Sequence, residues 1–175
     1  MPLRRLIPLI FYTKMSIVYI GIGSNLGDRE KNCTRAIELL EKKGITVKKK
    51  SSLYKTEPWG IKDQPEFLNM AIEIETYLKP RELLGFLKQI EAEIGREKSY
   101  KWGPRLIDLD ILLFDDIILD EDNLKIPHPL MHKRDFVLRP LQEIAPDIIH
   151  PSFKMNIGKL LQKLYNESQR SHGDC

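Results

Sequence analysis

The run Ile107-Asp108-Leu109-Asp110-Ile111-Leu-Leu-Phe114 constrains this chain more than any other stretch. Side chains alternate along a strand, so Asp108 and Asp110 share one face while Ile107, Leu109 and Ile111 take the other. Two like charges ~7 Å apart on one strand face repel, and Asp gains nothing from a strand as a propensity choice. Two readings fit. The acids mark the solvated face of an amphipathic strand, or they share a divalent cation. Hard oxygen ligands of this kind suit Mg²⁺, which is held by one or two carboxylates together with substrate phosphates.

A chain of 175 residues, 42% hydrophobic and 30% charged, is sized for one domain with a real core. The net charge of +3 does not argue for a nucleic-acid partner. Two cysteines, Cys33 and Cys175, give neither a metal-ligand spacing nor a disulfide framework, which points to a reducing, cytoplasmic setting. The apolar run near the N-terminus, only ~7 residues, is too short to span a membrane. It also holds a proline and no small-residue cleavage site, so residues 1–14 read as a non-essential extension before Met15. A cleaved signal and an extra strand are the alternatives.

Ser16–Gly21 has the composition of a central strand. Gly21-Ile-Gly23-Ser-Asn-Leu-Gly27-Asp28 then reads as a loop, either a tight turn or a substrate-binding one. Gly27 falls one residue late for a dinucleotide fingerprint, and the expected downstream acid is replaced by Lys48-Lys-Lys50. Asp28 is a candidate N-cap for a helix that ends at Gly44, with Cys33, Ala36, Ile37 and Leu40 on its apolar face. Ile45–Leu53 reads as a strand, and Tyr54–Pro65 as a loop whose Trp59 either folds onto the core or covers a flat ligand. From Phe67 to Glu75 the pattern alternates, with Leu68, Met70, Ile72 and Ile74 on the core side. Phe67 and Asn69 emerge together on the other face, where a ring and a carboxamide suit a planar heterocycle but can equally be structural.

Pro80 opens a second helix, with Leu83, Leu84, Leu87, Ile90 and Ile94 at helical spacing, Glu91 at the stripe's edge and Gly95 as terminator. A basic loop from Arg96 to Lys101 leads into the Asp108 strand. Beyond it come an acidic hairpin-like segment (Asp115–Asp122), His128 between two prolines, a helix over 134–146 with Pro140 early in it, and a helix over 157–166. Residues 15–166 are expected to form a single domain, and 167–175 a disordered tail. The order β-α-β-β-α-β predicts a ferredoxin-like α+β sandwich, a mainly antiparallel sheet with two long helices on one face and accessory C-terminal helices.

Together these residues resemble the 6-hydroxymethyl-7,8-dihydropterin pyrophosphokinase family of folate biosynthesis. The matching stretches are Gly23-Ser-Asn-Leu-Gly27, Tyr54-x-Thr-x-Pro-x-Gly60, Asp63-Gln-Pro-x-Phe-Leu-Asn69 and Trp102-Gly-Pro-Arg-x-Ile-Asp-Leu-Asp110-Ile111. Ile126-Pro-His128, Arg134-x-Phe136 and Glu143-Ile-Ala-Pro146 match as well. The resemblance implies an ATP-dependent diphosphotransferase that moves the β,γ-diphosphate of ATP to the pterin and releases AMP. It implies Asp108 and Asp110 as ligands of two Mg²⁺ ions, and Arg96 and Arg105 with them as catalytic residues. A pterin site follows from Thr56, Glu57, Trp59, Phe67, Asn69 and Phe136. A nucleotide site follows from Glu91, Arg96, Arg105, Ile111, His128 and Arg134. The implied partners are these two small molecules, with no nucleic acid or membrane, in a monomer or weak homodimer. The chain departs from the pattern at Lys88, where some members carry glutamine, at Pro129, where some carry tyrosine, and in a shorter 97–101 loop. A ferredoxin-like ligand-binding module without chemistry is the rival reading.

Overall fold

The structure, a computed structural model, describes residues 14–171. Of the expected extension 1–14 only Lys14 lies among them, 3.7 Å from Asp115. The first strand, β1, runs Ser16–Ser24, followed by helix α1 (Arg29–Lys42), strands β2 (Thr46–Lys50) and β3 (Tyr54–Thr56), and the long strand β4 (Phe67–Thr76). Helix α2 (Pro80–Ile94) leads to β5 (Asp108–Phe114). Then come a small hairpin, β6 (Leu119–Glu121) and β7 (Leu124–Ile126), helix α3 (Asp135–Ile144), a second small hairpin, β8 (Ile149–His150) and β9 (Met155–Asn156), and helix α4 (Ile157–Arg170).

All pairings in the main sheet are antiparallel, in the order β2-β4-β1-β5, with β3 adding to β4 beside β2. Both faces of this sheet are covered. On one, α1 and α2 press Ala36, Leu40, Leu83, Leu87 and Ile90 against Ile20, Ile22, Ile72, Ile74, Leu109 and Ile111. On the other, α3 and α4 press Leu138, Leu141, Leu160 and Leu161 against Tyr19, Ala71, Leu112 and Leu113. The second core covers only part of its face, and the remainder is the floor of a cleft.

Local chemistry explains most boundaries. Asp28 accepts from the Lys31 amide (3.1 Å) to start α1. Pro80 opens α2, Glu82 reaches back to the Lys79 amide (2.7 Å), and Gly95 closes it at φ +105°.

Five expectations change. Gly21 and Gly23 belong to β1 itself, not to a loop; of the early glycines only Gly27 takes a positive φ, +64°. β2 stops at Lys50, because the Ser51 side chain turns back to accept from the Ala71 amide (2.9 Å). Tyr54–Thr56 is paired strand rather than loop. Pro140 sits mid-helix, since α3 begins only after a 3₁₀ turn at Met131–Lys133. And α4 continues through 167–170 of the expected tail, supported by Lys163–Glu167 (4.0 Å) and the Ser168 hydroxyl on the Leu164 carbonyl (3.0 Å).

Leu87 is fully buried where α2 meets the sheet. Leu87→Ala should lower the free energy of unfolding by about 3 kcal/mol in urea titrations, and a loss under about 1 kcal/mol would contradict this packing.

Candidate active site

Strand register sets the cleft. Asp108 lies opposite Gly23, and Gly23 opposite Asn69; one step along, Asp110 lies opposite Gly21, and Gly21 opposite Ala71. The acids on β5 and the amide and ring on β4 are therefore separated by a stretch of β1, Gly21 to Gly23, without side chains on that face. The result is a trough. It is narrow at Gly23, where a Cβ would stand 2.8 Å from Asn69 Oδ1, so a side chain there would push the Asn69 carboxamide aside.

Thr56, Glu57, Trp59, Phe67, Asn69, Arg105, Asp108, Asp110, Arg134 and Phe136 all line this one cavity. The Asn69 amide donates to Thr56 Oγ1 (2.7 Å), leaving its carbonyl over the glycine floor. Trp59 packs edge-on against Trp102 (5.4 Å between centroids), and the Arg134 guanidinium sits 4.4 Å from the Trp59 ring and 5.6 Å from that of Phe136. Arg134 Nε is buried with no hydrogen-bond partner. A desolvated guanidinium donor without an acceptor suits an anionic ligand.

The two acids have different surroundings. Asp108 Oδ1 accepts from Arg96 Nη1 (2.8 Å) and Oδ2 from Arg105 Nη1 (3.0 Å). Burial works against its charge, but Arg105 and then Arg96 outweigh it and hold the carboxyl below its ordinary range. Asp110 has no ion pair or hydrogen bond among the described residues. Burial first, and the Asp108 charge second, push it up to about 7. No group of three or more acidic, His or Cys side chains converges among the described residues. The pair thus fits a hard divalent ion that completes its shell with phosphate and water oxygens, and does not fit a closed protein cage.

Four expected residues lie outside the cavity lining. Glu91 is buried and engaged: Arg96 Nη1 (2.7 Å) and the Leu109 amide (2.8 Å) reach Oε1, and Lys88 Nζ (3.0 Å) reaches Oε2. Arg96 joins the site through Asp108. Ile111 places its side chain in the first core, at the sheet's outer strand. His128 donates its backbone N–H to the Leu112 carbonyl (2.9 Å), and its Nδ1 accepts from the Leu130 amide (3.2 Å). Burial and then Arg134 push its ring down to about 4, so it is neutral with its proton on Nε2.

Two positioning residues escaped the sequence reading. Asn25 is buried (2% exposed) and joins three segments. Its side chain donates to Gln64 Oε1 (2.9 Å) and the Pro65 carbonyl (3.0 Å) and accepts from the Arg105 amide (2.8 Å). Gln64 in turn donates to the Trp102 carbonyl (2.8 Å), so the two tryptophan loops share one anchor. Lys88 is the other, a further cation acting on Asp108 and Asp110. The place of Asn25 in the Gly23–Gly27 stretch was the available signal for the first, and the i,i+3 spacing of Lys88 from Glu91 for the second.

Comparison with known proteins gives the same direction. The sequence model described as 7,8-dihydro-6-hydroxymethylpterin-pyrophosphokinase (HPPK) matches residues 19–146. A 2-amino-4-hydroxy-6-hydroxymethyldihydropteridine pyrophosphokinase of Aquifex aeolicus is 46% identical over 140 residues, covering 80% of this chain and 87% of that one. A protein of the same name from Bacillus subtilis is 50% identical over 134 residues, 76% of this chain and 80% of that one. Among solved structures, the HPPK-DHPS of Plasmodium falciparum superposes with a TM-score of 0.71 at 17% identity, which speaks for the fold. It covers 93% of this chain but 47% of the solved one, so this chain spans about half of that protein.

Asp110 also makes the metal-free protein sensitive to pH. An unfolded Asp titrates near ~3.9. Between there and about 7 the folded state keeps a proton that the unfolded state has lost, so stability falls as pH rises through that window. Asp110→Asn removes this dependence. In EDTA its melting-temperature advantage over the unaltered protein should grow from pH 5 to pH 8, reaching roughly 5 °C; an advantage that stays constant over that range would contradict the assignment.

Proposed function

The chain belongs to the 7,8-dihydro-6-hydroxymethylpterin-pyrophosphokinase family, and on that premise we propose that its cleft transfers the diphosphate of ATP to the hydroxymethyl group of 6-hydroxymethyl-7,8-dihydropterin in folate biosynthesis. The observation that carries this reading is the pairing, in one trough, of an acid-and-arginine end (Asp108, Asp110, Arg105, Arg134) with a ring-and-amide end (Phe67, Phe136, Asn69). The first suits a triphosphate with its cations; the second suits a flat heterocycle with a polar edge.

In this reading the pterin ring stacks between Phe67 and Phe136, while Asn69 and the backbone near Thr56, Glu57 and Trp59 read its edge. Arg105 and Arg134 meet the phosphates, and Arg96 joins them by leaving or sharing Asp108. His128, neutral, donates from Nε2. Glu91 holds Arg96 in place on the nucleotide side, and adenine is read by backbone near Ile111, on the outer strand of the sheet. The hydroxymethyl oxygen attacks the β-phosphorus and releases its proton to solvent, the bond from that phosphorus to the α–β bridging oxygen breaks, and AMP leaves with the electron pair. Two Mg²⁺ ions held by Asp108 and Asp110 would supply charge neutralisation and alignment of the triphosphate. The chain's own contribution is orientation and electrostatics: it holds both substrates in line and keeps water from the transferring group.

We extend the reading to the whole chain. The strand order and the paired helices support a ferredoxin-like sandwich, with α3 and α4 as its accessory layer. Residues 15–166 are taken as the catalytic unit and 1–14 as dispensable. We take the functional unit to be a monomer or a weak homodimer. No helix among the described residues is long and apolar enough to cross a membrane, and Cys33 is a free, buried thiol; the setting proposed is the cytoplasm.

Incubation with Mg²⁺, the pterin and ATP labelled in its β and γ phosphates tests the reaction. Both labels should appear on the pterin and unlabelled AMP should be released. ADP as the nucleotide product would mean single phosphoryl transfer and overturn the reading.

A further inference from the structure

Glu143 lies on α3, two turns beyond Phe136 and Val137, which line the cleft. It is exposed and touches none of the residues assigned to chemistry, yet both its oxygens are used. Oε1 accepts from the Ser52 amide (2.9 Å) and the Ser52 hydroxyl (2.9 Å); Oε2 accepts from the Tyr54 hydroxyl (2.6 Å). Arg139, one turn earlier, stacks over the Tyr54 ring at 5.0 Å. The segment so held is the start of the three-residue strand β3, whose last residue is Thr56. Thr56 receives the Asn69 amide, and Glu57 and Trp59 follow it into the cleft wall.

The two sides of this contact differ in how else they are held. Helix α3 is seated by Leu138 and Leu141, both fully buried, and does not need Glu143 to stay on the sheet. Ser52 and Leu53 are exposed, and β3 has only three paired residues, all on β4. Three hydrogen bonds to one carboxylate are a large share of what fixes that segment. The Tyr54 hydroxyl foremost, then Ser52, keep Glu143 ionised below the ordinary carboxylate range, so the contact persists at neutral pH.

We propose that Glu143 is a positioning residue for the ring end of the cleft: it ties α3 to β3 and so fixes the gap between Phe136 and the wall formed by Thr56 and Phe67. This rests on the pterin site proposed above, and it predicts a selective effect. Ring binding depends on that gap; the triphosphate end is built on β5, Arg96 and Arg105, with Arg134 reaching it from the start of α3, which Leu138 and Leu141 seat without Glu143.

The test compares Glu143→Ala, Glu143→Gln and Tyr54→Phe in steady-state AMP release and in amide hydrogen exchange of the ligand-free proteins. Glu143→Ala should raise KM for the pterin about fivefold, the scale of one net hydrogen bond, with KM for ATP within about twofold of the unaltered protein. Exchange over residues 54–60 should quicken in the same variant. Glu143→Gln, whose carbonyl still accepts from Ser52, should restore both, and Tyr54→Phe, which removes one bond of three, should fall between. Equal rises in both KM values, or exchange over 54–60 unchanged in Glu143→Ala, would overturn the proposal. The exchange result decides it even if the unaltered protein forms no AMP, an outcome that would count against the reaction itself.

Discussion

Asp110 is a half-buried carboxylate that the protein leaves without an ion-pair partner among the described residues, and the cleft is arranged around that fact. Its neighbour Asp108 is answered twice, by Arg96 and Arg105. Burial and the Asp108 charge together push Asp110 up to about 7. An isolated ionised carboxylate away from water is expensive, and groups so placed either take a proton or find a counter-ion. A fold has no structural reason to build such a position on a strand that, apart from Asp108, is wholly apolar. A divalent cation arriving with a phosphate ligand gives it one.

The rest of the architecture serves that position. The antiparallel register of β1 between β4 and β5 puts Gly21 and Gly23 beside the acids, and their missing side chains open the trough. The two cores pin the sheet from both faces, so the floor cannot relax to bring a cation to Asp110. Asn25 then joins the end of β1 to the Gln64 and Arg105 segments, which places the arginine that holds Asp108 and the tryptophans that close over the cleft. Ring recognition is assembled on the far side of the glycines, from residues whose spacing is set by β3, β4 and α3.

Much of this was legible in the residues. Period-two alternation located Asp108 and Asp110 on one face and the core side of β4 on the other. Capping residues and terminal glycines located α1 and α2. Where the reading failed, tertiary context decided. Gly21 and Gly23 look like a turn because glycine usually marks one, but here the requirement is space, beside Leu112 for Gly21 and beside Asn69 for Gly23, which only the strand pairing reveals. Tyr54–Thr56 is a strand because β4 is long enough to take a second partner, a fact stored in Phe67–Asn69 and not in residues 54–56. The contacts of Glu91 with Arg96 and the Leu109 amide depend on α2 meeting the edge of β5, contacts that no local pattern encodes.

The central claim is that the Asp108–Asp110 face is a cation site completed by the triphosphate. Mn²⁺ binding followed by electron paramagnetic resonance, with a non-hydrolysable ATP analogue present, tests it most directly. The account predicts retained Mn²⁺ in the unaltered protein and at least tenfold weaker retention in Asp110→Asn, a variant that still unfolds cooperatively. Equal Mn²⁺ binding by the two proteins would contradict it.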